Sequence, residues 1–323
     1  MIVLTGGAGF IGKNLIARLN QIGIDDILII DKKKYTKSNR FADLKFSTIV
    51  DINEFSDWHN SSKDVHISSI IHLGACTNTL ENNYDFLHKN NVLFSRMLWD
   101  LAVNLDVPFI YASSAATYGN GENGFFDDHS KVNKLEPLNP YGRSKQEFDQ
   151  WTLRQEKHPP FWAGLKFFNV YGPGEQHKGK MASAIHHFIY QNKRNSVISL
   201  FEGSHGFYNG DQSRDFIYID DVIDIMLYLI NNNVKSGIYN VGTGAAVTFN
   251  KIAETIINIM NYGKIQYIPF PEKLKNQYQA YTCACLEKIK KAGYLTKNTR
   301  SLKDGIKDYI DNYKPGTADK FEK

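Results

Sequence analysis

The sequence predicts an α/β protein, a Rossmann doubly wound parallel sheet with a smaller C-terminal α/β substrate domain. Two observations support this prediction. Short apolar runs alternate with helical segments along the first half of the chain, which is the pattern of a parallel sheet covered by helices. The first run, at 1–5, leads directly into the glycine-rich segment GGAGFIG and then into a helical segment at 13–19. A strand, a glycine turn and a helix in this order are typical of dinucleotide-binding folds.

Length and composition limit the possible functions. A chain of 323 residues accommodates about two domains of ordinary size. The net charge of +4, from 38 basic and 34 acidic residues, favours a small-molecule ligand over nucleic acid. The three cysteines do not suit a disulfide framework or a zinc site, so we expect reduced thiols and no metal. Neither a signal peptide nor an apolar run of about 18 residues is present, which predicts a cytoplasmic protein without a membrane partner.

The glycine turn satisfies two spacings at once. Gly7, Gly9 and Gly12 fit the pattern G-x-G-x-x-G, while Gly6, Gly9 and Gly12 recur at every third position. Glycine permits a tight turn and lets the backbone approach a pyrophosphate, which then rests on the N-terminus of the following helix. A tight turn without a ligand is the alternative. The acid that ends the next strand favours dinucleotide binding.

That second strand, at 27–30, ends at Asp31. An acid about 20 residues after the glycines usually binds the ribose 2′-hydroxyl of NAD. Asp31 is followed by a lysine run at 32–34 and by Lys37, whose cations can instead neutralise the 2′-phosphate of NADP. A lysine run is also common in solvated loops. These two signals conflict, and both cofactors stay open on this pattern alone.

Strands predicted at 69–75 and 108–112 end in small residues, and the second leads into a serine pair that ends at Ser114. Ligands gather at the carboxyl ends of parallel strands, so these ends are candidate binding positions. A serine hydroxyl there can bind a substrate oxygen, although a turn serine without a ligand is the commoner case. A long helix predicted at 81–104 lies between the two strands and carries Asn91.

Tyr141 and Lys145 lie one turn apart on a helix predicted at 140–157, so both side chains occupy the same face. An ammonium stabilises a nearby phenolate, and we therefore expect the pKa of Tyr141 to fall from about 10 toward neutrality. Such a pair can move protons during catalysis. A chance pair on a solvated helix face is the alternative.

The pattern of elements changes after the strand predicted at 162–168. The polar segment at 174–179 is followed by helices and short strands that no longer alternate regularly. We predict a dinucleotide-binding domain at 1–170, to which 213–241 returns, a substrate-binding domain at 171–212 and 242–314, and a tail at 315–323.

The glycine turn, Asp31, Ser114, the pair Tyr141 and Lys145, and the segment NVYGP at 169–173 together resemble the extended short-chain dehydrogenase/reductase family of nucleotide-sugar enzymes. Five other stretches are similar to a narrower family, the ADP-L-glycero-D-manno-heptose 6-epimerases. These stretches are 113–119 (SSAATYG), 175–183 (EQHKGKMAS), 201–204 (FEGS), 214–216 (RDF) and 268–275 (IPFPEKLK).

The resemblance implies that the chain interconverts ADP-D-glycero-D-manno-heptose and its L-glycero epimer, for the lipopolysaccharide core, as a homo-oligomer such as a pentamer. It implies oxidation and reduction at C6 with NADP. Tyr141, assisted by Lys145, would be the base on one face, Lys178 the base on the other, and Ser114 would bind the reacting oxygen. The implied cofactor positions are Gly6, Gly9, Phe10, Ile11, Gly12, Asp31, Lys32, Lys37, Leu73, Gly74, Ala75, Cys76, Asn91, Tyr141, Lys145, Val170 and Lys178.

The resemblance also implies a set of substrate positions. Arg214 is a plausible bidentate partner for a diphosphate, with an ordinary salt bridge as its alternative. Lys180 departs from the family pattern, in which a serine stands at this position. The implied substrate positions are Asn169, Lys180, His187, Phe201, Glu202, Gly203, Ser204, Arg214 and Tyr278.

Two other functions compete with this one. The first is another nucleotide-sugar enzyme of the same superfamily, such as a UDP-glucose 4-epimerase or a 4,6-dehydratase. A dehydratase usually carries an Asp-Glu pair after the strand-end serine, whereas this chain has Ala115, Ala116 and Thr117 there. The second is a regulator that binds NADP without catalysis. Such regulators typically lose the tyrosine and lysine pair that this chain retains.

Overall fold

A parallel sheet of seven strands forms the centre of the protein. A computed structural model describes residues 1–36, 41–62, 64–296 and 299–313. The strands of the sheet are β1 (Ile2–Thr5), β2 (Ile27–Asp31), β3 (Thr48–Asp51), β4 (Ser69–His72), β5 (Phe109–Ser114), β6 (Trp162–Phe167) and β10 (Gly237–Val241). Their order is β3-β2-β1-β4-β5-β6-β10, and every pairing between them is parallel. The predicted doubly wound α/β fold is confirmed.

Helices flank this sheet and continue into the second half of the chain. Several begin at a side-chain cap, as at α6, where the Asn139 side chain accepts from the Gly142 N–H and Pro140 takes the first position. The helices are α1 (Phe10–Gln21), α2 (Lys33–Thr36), α3 (Phe55–Ser61), α4 (Tyr84–His88), α5 (Phe94–Leu105), α6 (Pro140–Thr152), α7 (Ala184–Asn195), α8 (Ile219–Asn231), α9 (Phe249–Met260), α10 (Glu287–Lys291) and α11 (Leu302–Asp311).

The long helix predicted at 81–104 differs from the observed one in its middle. A π-helical turn, Lys89–Leu93, joins α4 to α5. π turns widen a helix locally and are frequent at functional sites. This turn carries Asn91, which is buried.

Two small sheets belong to the second half of the chain. β7 (Asn169–Tyr171), β9 (Ser213–Tyr218) and β11 (Ala246–Thr248) form one in the order β11-β9-β7, and β8 (Val197–Phe201) pairs with β12 (Lys264–Ile268) to form the other. β10 returns the chain to the main sheet, whereas β9 does not pair with it. The division into two domains stays a prediction, and the tail at 315–323 lies outside the described residues.

The core follows from the alternation of side chains along the central strands. Val3 and Leu28 pack with Trp99 on one face of the sheet, and Leu4 and Ile29 pack on the other. β1 and β4 lie side by side, with β2 and β3 beyond one and β5 and β6 beyond the other. The carboxyl ends of β1 and β4 therefore flank the switch point where a doubly wound sheet binds its ligand.

Candidate active site

The turn between β1 and α1 has a backbone that only glycine fits. Gly6 has a φ of 70°, and a Cβ on it would lie 2.7 Å from the backbone nitrogen of Gly74. A Cβ on Gly12 would collide with the carbonyl of Gly6. The first turn of α1 contains no acidic residue. Its N–H groups can therefore receive a pyrophosphate, so the residues present fit a dinucleotide.

Asp31 is held against this glycine turn. Its carboxylate accepts hydrogen bonds from the Ala8 N–H, at 2.9 Å, and from the Lys32 N–H, at 2.8 Å. The side chain of Lys32 is exposed. The arrangement brings the acid predicted from the sequence to the turn. Lys37, the other predicted phosphate ligand, lies outside the described residues.

Asn91 joins the loop after β4 to helix α6, which carries Tyr141 and Lys145. Its Oδ1 accepts from the Cys76 N–H at 2.8 Å, and its Nδ2 donates to the Cys76 carbonyl and to Ser144 Oγ, both at 3.0 Å. The rest of this loop, 73–75, is partly exposed at the switch point. Asn91 thus fixes Cys76, the last of the predicted cofactor residues Leu73, Gly74, Ala75 and Cys76.

A buried histidine beneath this loop was not among the predicted residues. His72 Nδ1 lies 2.7 Å from Thr5 Oγ1, which accepts from the Gly74 N–H, so the threonine hydroxyl donates to Nδ1. His72 Nε2 lies 2.8 Å from Ser95 Oγ, which itself donates to the Asn91 carbonyl, so Nε2 carries the proton. Burial lowers the pKa of His72 to about 3, with a smaller contribution from Lys145. A neutral histidine therefore links β1, β4 and the π turn.

The structure brings Tyr141 and Ser114 together. Tyr141 is buried on α6, and burial raises the pKa of its phenol, while a hydrogen bond with Ser114 lowers it. Ser114 Oγ also accepts from the Ala116 N–H at 3.1 Å, which fixes the hydroxyl at the end of β5. The hydroxyls of Tyr141 and Ser114, each named as a site residue from the sequence, are therefore in contact, and regular elements hold both side chains.

The expectation that Lys145 lowers the pKa of Tyr141 is wrong for this structure. Lys145 Nζ donates to the Ala112 carbonyl at 3.0 Å, so the ammonium is directed to β5, and burial of the phenol dominates. Lys145 is itself buried, and this burial lowers its pKa to about 8, while Asp149 opposes the shift. The spacing of four residues placed both groups on one face but carried no information about their burial.

Asp149, one turn beyond Lys145, joins the segments that carry the predicted residues Tyr141 and Ser114. It is fully buried and accepts from Lys166 Nζ and Ser113 Oγ, both at 2.7 Å. Lys166 Nζ also donates to Thr117 Oγ1 at 2.6 Å, and Thr117 Oγ1 donates to the Ser114 carbonyl. The helix that bears Tyr141 and the strand end that bears Ser114 are thus tied through one buried ion pair. None of these contacts follows from a local sequence pattern.

Lys178 lies in a 3-10 turn, Gln176–Met181, between β7 and α7. Its ammonium is 5.2 Å from the centre of the Phe10 ring, at the start of α1, and 3.4 Å from Glu175 Oε2. Lys178 therefore approaches the predicted dinucleotide site. The neighbouring Lys180 is exposed, and the His187 ring is hydrogen bonded to the backbone of Lys180. Burial lowers the pKa of His187.

Arg214 is the most buried cation of the smaller lobe. Its guanidinium lies 4.8 Å from the centre of the Tyr278 ring and donates to the Ser213 carbonyl at 3.2 Å. Burial lowers the pKa of Arg214, and Tyr278 partly offsets this shift. Among the described residues, no carboxylate forms an ion pair with it. A buried cation in this setting is suited to an anionic ligand.

Two of the other predicted substrate residues, Phe201 and Tyr278, belong to an aromatic cluster. Phe270 lies 5.3 Å from Phe201 and 5.1 Å from Tyr278, measured between ring centres. Ser204 Oγ accepts from Gln212, and the remaining residues of the FEGS segment, Glu202 and Gly203, are exposed. Asn169 and Val170, in β7, are partly exposed.

Gln279 connects this lobe to the catalytic strand end, and sequence reasoning missed it. Its Nε2 donates to the carbonyl of Gly119 at 2.7 Å and to that of Ala115 at 3.2 Å. Both carbonyls belong to the turn that follows Ser114. Because Gln279 is adjacent to Tyr278, it links the position of the Arg214 cluster to that of Ser114. A side-chain amide in a loop gives no sequence signal of such a contact.

Neither a metal centre nor a membrane span is found in the part of the chain that the structure describes. No three histidine, cysteine, aspartate or glutamate side chains there are grouped to hold a metal ion. No helix there is long and apolar enough to cross a membrane.

The site can now be compared with known proteins. Residues 2–242 match the NAD dependent epimerase/dehydratase family. An ADP-L-glycero-D-manno-heptose-6-epimerase of Fusobacterium nucleatum is 43% identical over 325 residues, which cover 97% of this chain and 98% of that protein. The chain belongs to the ADP-L-glycero-D-manno-heptose-6-epimerase family. The family predicted from the motifs is therefore confirmed.

Solved structures agree with this membership. The crystal structure of the ADP-L-glycero-D-manno-heptose-6-epimerase of Helicobacter pylori is 30% identical with a TM-score of 0.79, and the match covers 96% of this chain and 94% of that one. A UDP-glucose 4-epimerase of Thermus thermophilus in complex with NAD shares the fold, at 21% identity, a TM-score of 0.75 and coverage of 96% and 98%. As an epimerase of this family, the protein is an isomerase that uses a nicotinamide dinucleotide.

Proposed function

We propose that the protein interconverts ADP-D-glycero-D-manno-heptose and ADP-L-glycero-D-manno-heptose by oxidation and reduction at C6 of the heptose. The observation that carries this proposal is the 43% identity with the Fusobacterium enzyme over nearly the full length of both chains. The cofactor is NADP, and the product serves lipopolysaccharide core synthesis in the cytoplasm. The active form is a homo-oligomer such as a pentamer.

The dinucleotide occupies the switch point between β1 and β4. Gly6, Gly9 and Gly12 give its pyrophosphate access to the N-terminus of α1, with Phe10 and Ile11 at the same place. Asp31 and Lys32 would bind its adenosine ribose and 2′-phosphate, and residues 73–76 would contribute further contacts. When bound, it supplies a hydride acceptor for the first half of the reaction and a hydride donor for the second.

Tyr141 is the proton acceptor on one face of the sugar. Ser114 binds the C6 oxygen and Tyr141 removes its proton as the hydride leaves C6, which yields a ketone. Since burial raises the pKa of Tyr141, a positive charge must lower it again in the loaded enzyme. An oxidised nicotinamide ring would supply such a charge when the cofactor is bound, and Lys145, one turn along the same helix, would assist it.

Lys178 manages the proton on the opposite face. Inversion at C6 requires that the ketone is reduced from its other side, where Tyr141 does not reach the oxygen. The Lys178 ammonium then donates the proton that completes the hydroxyl. The same two groups exchange roles in the reverse direction.

Arg214 selects the substrate by its diphosphate. A buried guanidinium that stacks on Tyr278 is suited to bidentate binding of phosphate oxygens. The rest of the set, 201–204 with Asn169, His187 and Lys180, contacts the nucleotide and the heptose.

The test is direct conversion. Purified protein incubated with ADP-D-glycero-D-manno-heptose, without added cofactor, is expected to yield the L-glycero epimer, detected by NMR. Turnover of UDP-glucose with no change in ADP-heptose would instead favour a 4-epimerase. Bound nucleotide with no turnover of either sugar would favour a dinucleotide-binding regulator.

A second measurement addresses the cofactor and assembly. Denaturation releases the bound nucleotide, and mass spectrometry is expected to identify NADP. Release of NAD would contradict the role given to the lysine run. Light scattering of the native protein measures the oligomeric state.

A further inference from the structure

Glu175 is a buried carboxylate at the start of the turn that carries Lys178. It is 0% exposed, and both of its oxygens are hydrogen bonded to one residue. Oε1 accepts from Ser183 Oγ at 2.6 Å, and Oε2 accepts from the Ser183 N–H at 2.7 Å. Ser183 in turn caps α7 by accepting from the His186 N–H. Glu175 therefore anchors the turn to the beginning of α7.

The same carboxylate reaches Lys178. Oε2 lies 3.4 Å from Lys178 Nζ, and the backbone carbonyl of Glu175 accepts from the Lys178 N–H at 2.9 Å. The Lys178 side chain is only 27% exposed, with its ammonium near the Phe10 ring on its other side. The ammonium thus lies between a fixed negative charge and the start of α1.

Capping alone does not explain a charged group here. The two Ser183 donors are neutral, and a buried carboxylate is unfavourable unless a cation compensates its charge. Lys178 is the cation that contacts it in the described structure. Gly174 and Gly179, on either side of Lys178, have φ values of 94° and 57°, which favour glycine. These two glycines let the turn bring Lys178 close to Glu175.

We propose that Glu175 is a positioning residue that holds the Lys178 ammonium at the active site through a charge fixed to α7. The proposal rests on the proposed function, in which Lys178 is the second acid/base group. A lysine has four rotatable side-chain bonds, and a proton donor that is misplaced by about 1 Å can lose about a hundredfold in rate. Glu175 removes this freedom without touching the substrate.

The first test separates the charge from the cap. Glu175→Gln keeps the size of the side chain and an acceptor for Ser183, but removes the charge. Its kcat is expected to fall about tenfold to a hundredfold, with KM nearly unchanged and the nucleotide still bound. Ser183→Ala is the matched control, because it weakens the cap and leaves the charge. It is expected to lower the melting temperature and to reduce kcat less than Glu175→Gln does, because the Ser183 N–H still holds Glu175 Oε2.

Two outcomes would overturn the positioning role of Glu175. A Glu175→Gln enzyme with the wild-type kcat would assign Glu175 to capping alone. The same assignment would follow if kcat fell in both variants in proportion to their melting temperatures.

A second readout needs no substrate. An acylating reagent modifies lysine amines, and peptide mass spectrometry gives the rate at each site, with exposed Lys193 as an internal standard. Loss of the carboxylate is expected to accelerate the modification of Lys178 about two- to fivefold, as for a partly exposed ion pair. An unchanged rate would contradict the positioning role. If the wild-type protein does not epimerise ADP-heptose but Lys178 is labelled faster in Glu175→Gln, the proposed function is rejected. The positioning of Lys178 by Glu175 would still stand.

Discussion

The surroundings of the two proposed acid/base groups, Tyr141 and Lys178, are opposite in kind. Tyr141 is 8% exposed on a regular helix, where Asp149 and Lys166 tie that helix to the strand end bearing Ser114. Lys178 is partly exposed in a short turn between elements, and one buried carboxylate contacts its ammonium. Regular secondary structure fixes Tyr141, whereas a contact within a loop fixes Lys178.

The difference matches what each group has to do. The group that works with the bound dinucleotide needs a constant geometry, which packed helices and strands provide. The group on the opposite face of the sugar must allow a nucleotide sugar to enter and the ketone to present its other face for reduction. A loop can move to permit both events. In the proposed mechanism, hydride transfer therefore depends on the sheet, whereas inversion depends on the turn at 176–181.

The largest expected effect is at Tyr141. Tyr141→Phe removes the hydroxyl that accepts the proton and should reduce epimerisation by about 10³-fold, within the range of general-base catalysis. The bound nucleotide should remain, because the glycine turn is untouched. Conversion by NMR and nucleotide release by mass spectrometry measure the two quantities. Tyr84→Phe, which removes a hydroxyl bound to Glu147 on the outer side of α6, is the control and should keep its activity.

Lys178 should follow with a smaller loss. Lys178→Met keeps most of the length of the side chain but removes the ammonium that donates the proton, so epimerisation should fall by about 10²-fold. The variant should also lose some stability, because the buried Glu175 carboxylate keeps its charge without the cation that contacts it. Thermal melting and conversion are measured together, with Lys193→Met as the control. Full activity of Lys178→Met would leave the protein with one acid/base group and remove the basis of the comparison.

The two regions also differ in how much of them the sequence predicts. The glycine turn and the pair Tyr141 and Lys145 are visible because their residues are close together in the chain. The Asp149 and Lys166 pair joins two elements 17 positions apart, and the Thr5 and His72 contact joins two strands 67 apart. No periodicity marks such contacts, because tertiary packing creates them.

The error in the pKa of Tyr141 has the same origin. A spacing of four residues fixes the face of a helix but does not reveal whether that face is solvated. Here the face is packed, so burial raises the pKa of the phenol, and the lysine expected to lower it donates to Ala112. The π turn at Asn91 was missed because its residues also fit an ordinary helix.

The buried network should be sensitive to the loss of one charge. Asp149→Asn leaves Lys166 buried without its carboxylate, which should lower the free energy of unfolding by about 3–5 kcal/mol. Denaturant unfolding measures this change. The double variant Asp149→Leu with Lys166→Met removes both charges and should recover much of the loss. If Asp149→Asn is as stable as the wild type, the buried ion pair is not what makes the Tyr141 region more rigid than the Lys178 turn.

The smallest effect concerns the charge on Lys145. Burial lowers its pKa from 10.5 to about 8, so the folded state binds this proton less tightly than the unfolded chain. A group with a lowered pKa contributes stability that is fully present above its unfolded pKa and is lost as the pH falls through its folded pKa. Between pH 10.5 and pH 8 the contribution of Lys145 should fall by about 3 kcal/mol.

The comparison of Lys145→Met with the wild type isolates this contribution. Denaturant unfolding from pH 7 to pH 10.5 should show the variant gaining stability relative to the wild type as the pH falls, with most of the change above pH 8. Lys303→Met, at an exposed position on α11, should show a flat difference over the same range. If Lys145→Met is also flat, the lysine keeps its proton as easily in the fold as in the unfolded chain. The surroundings of Tyr141 would then exclude water no more than those of Lys178.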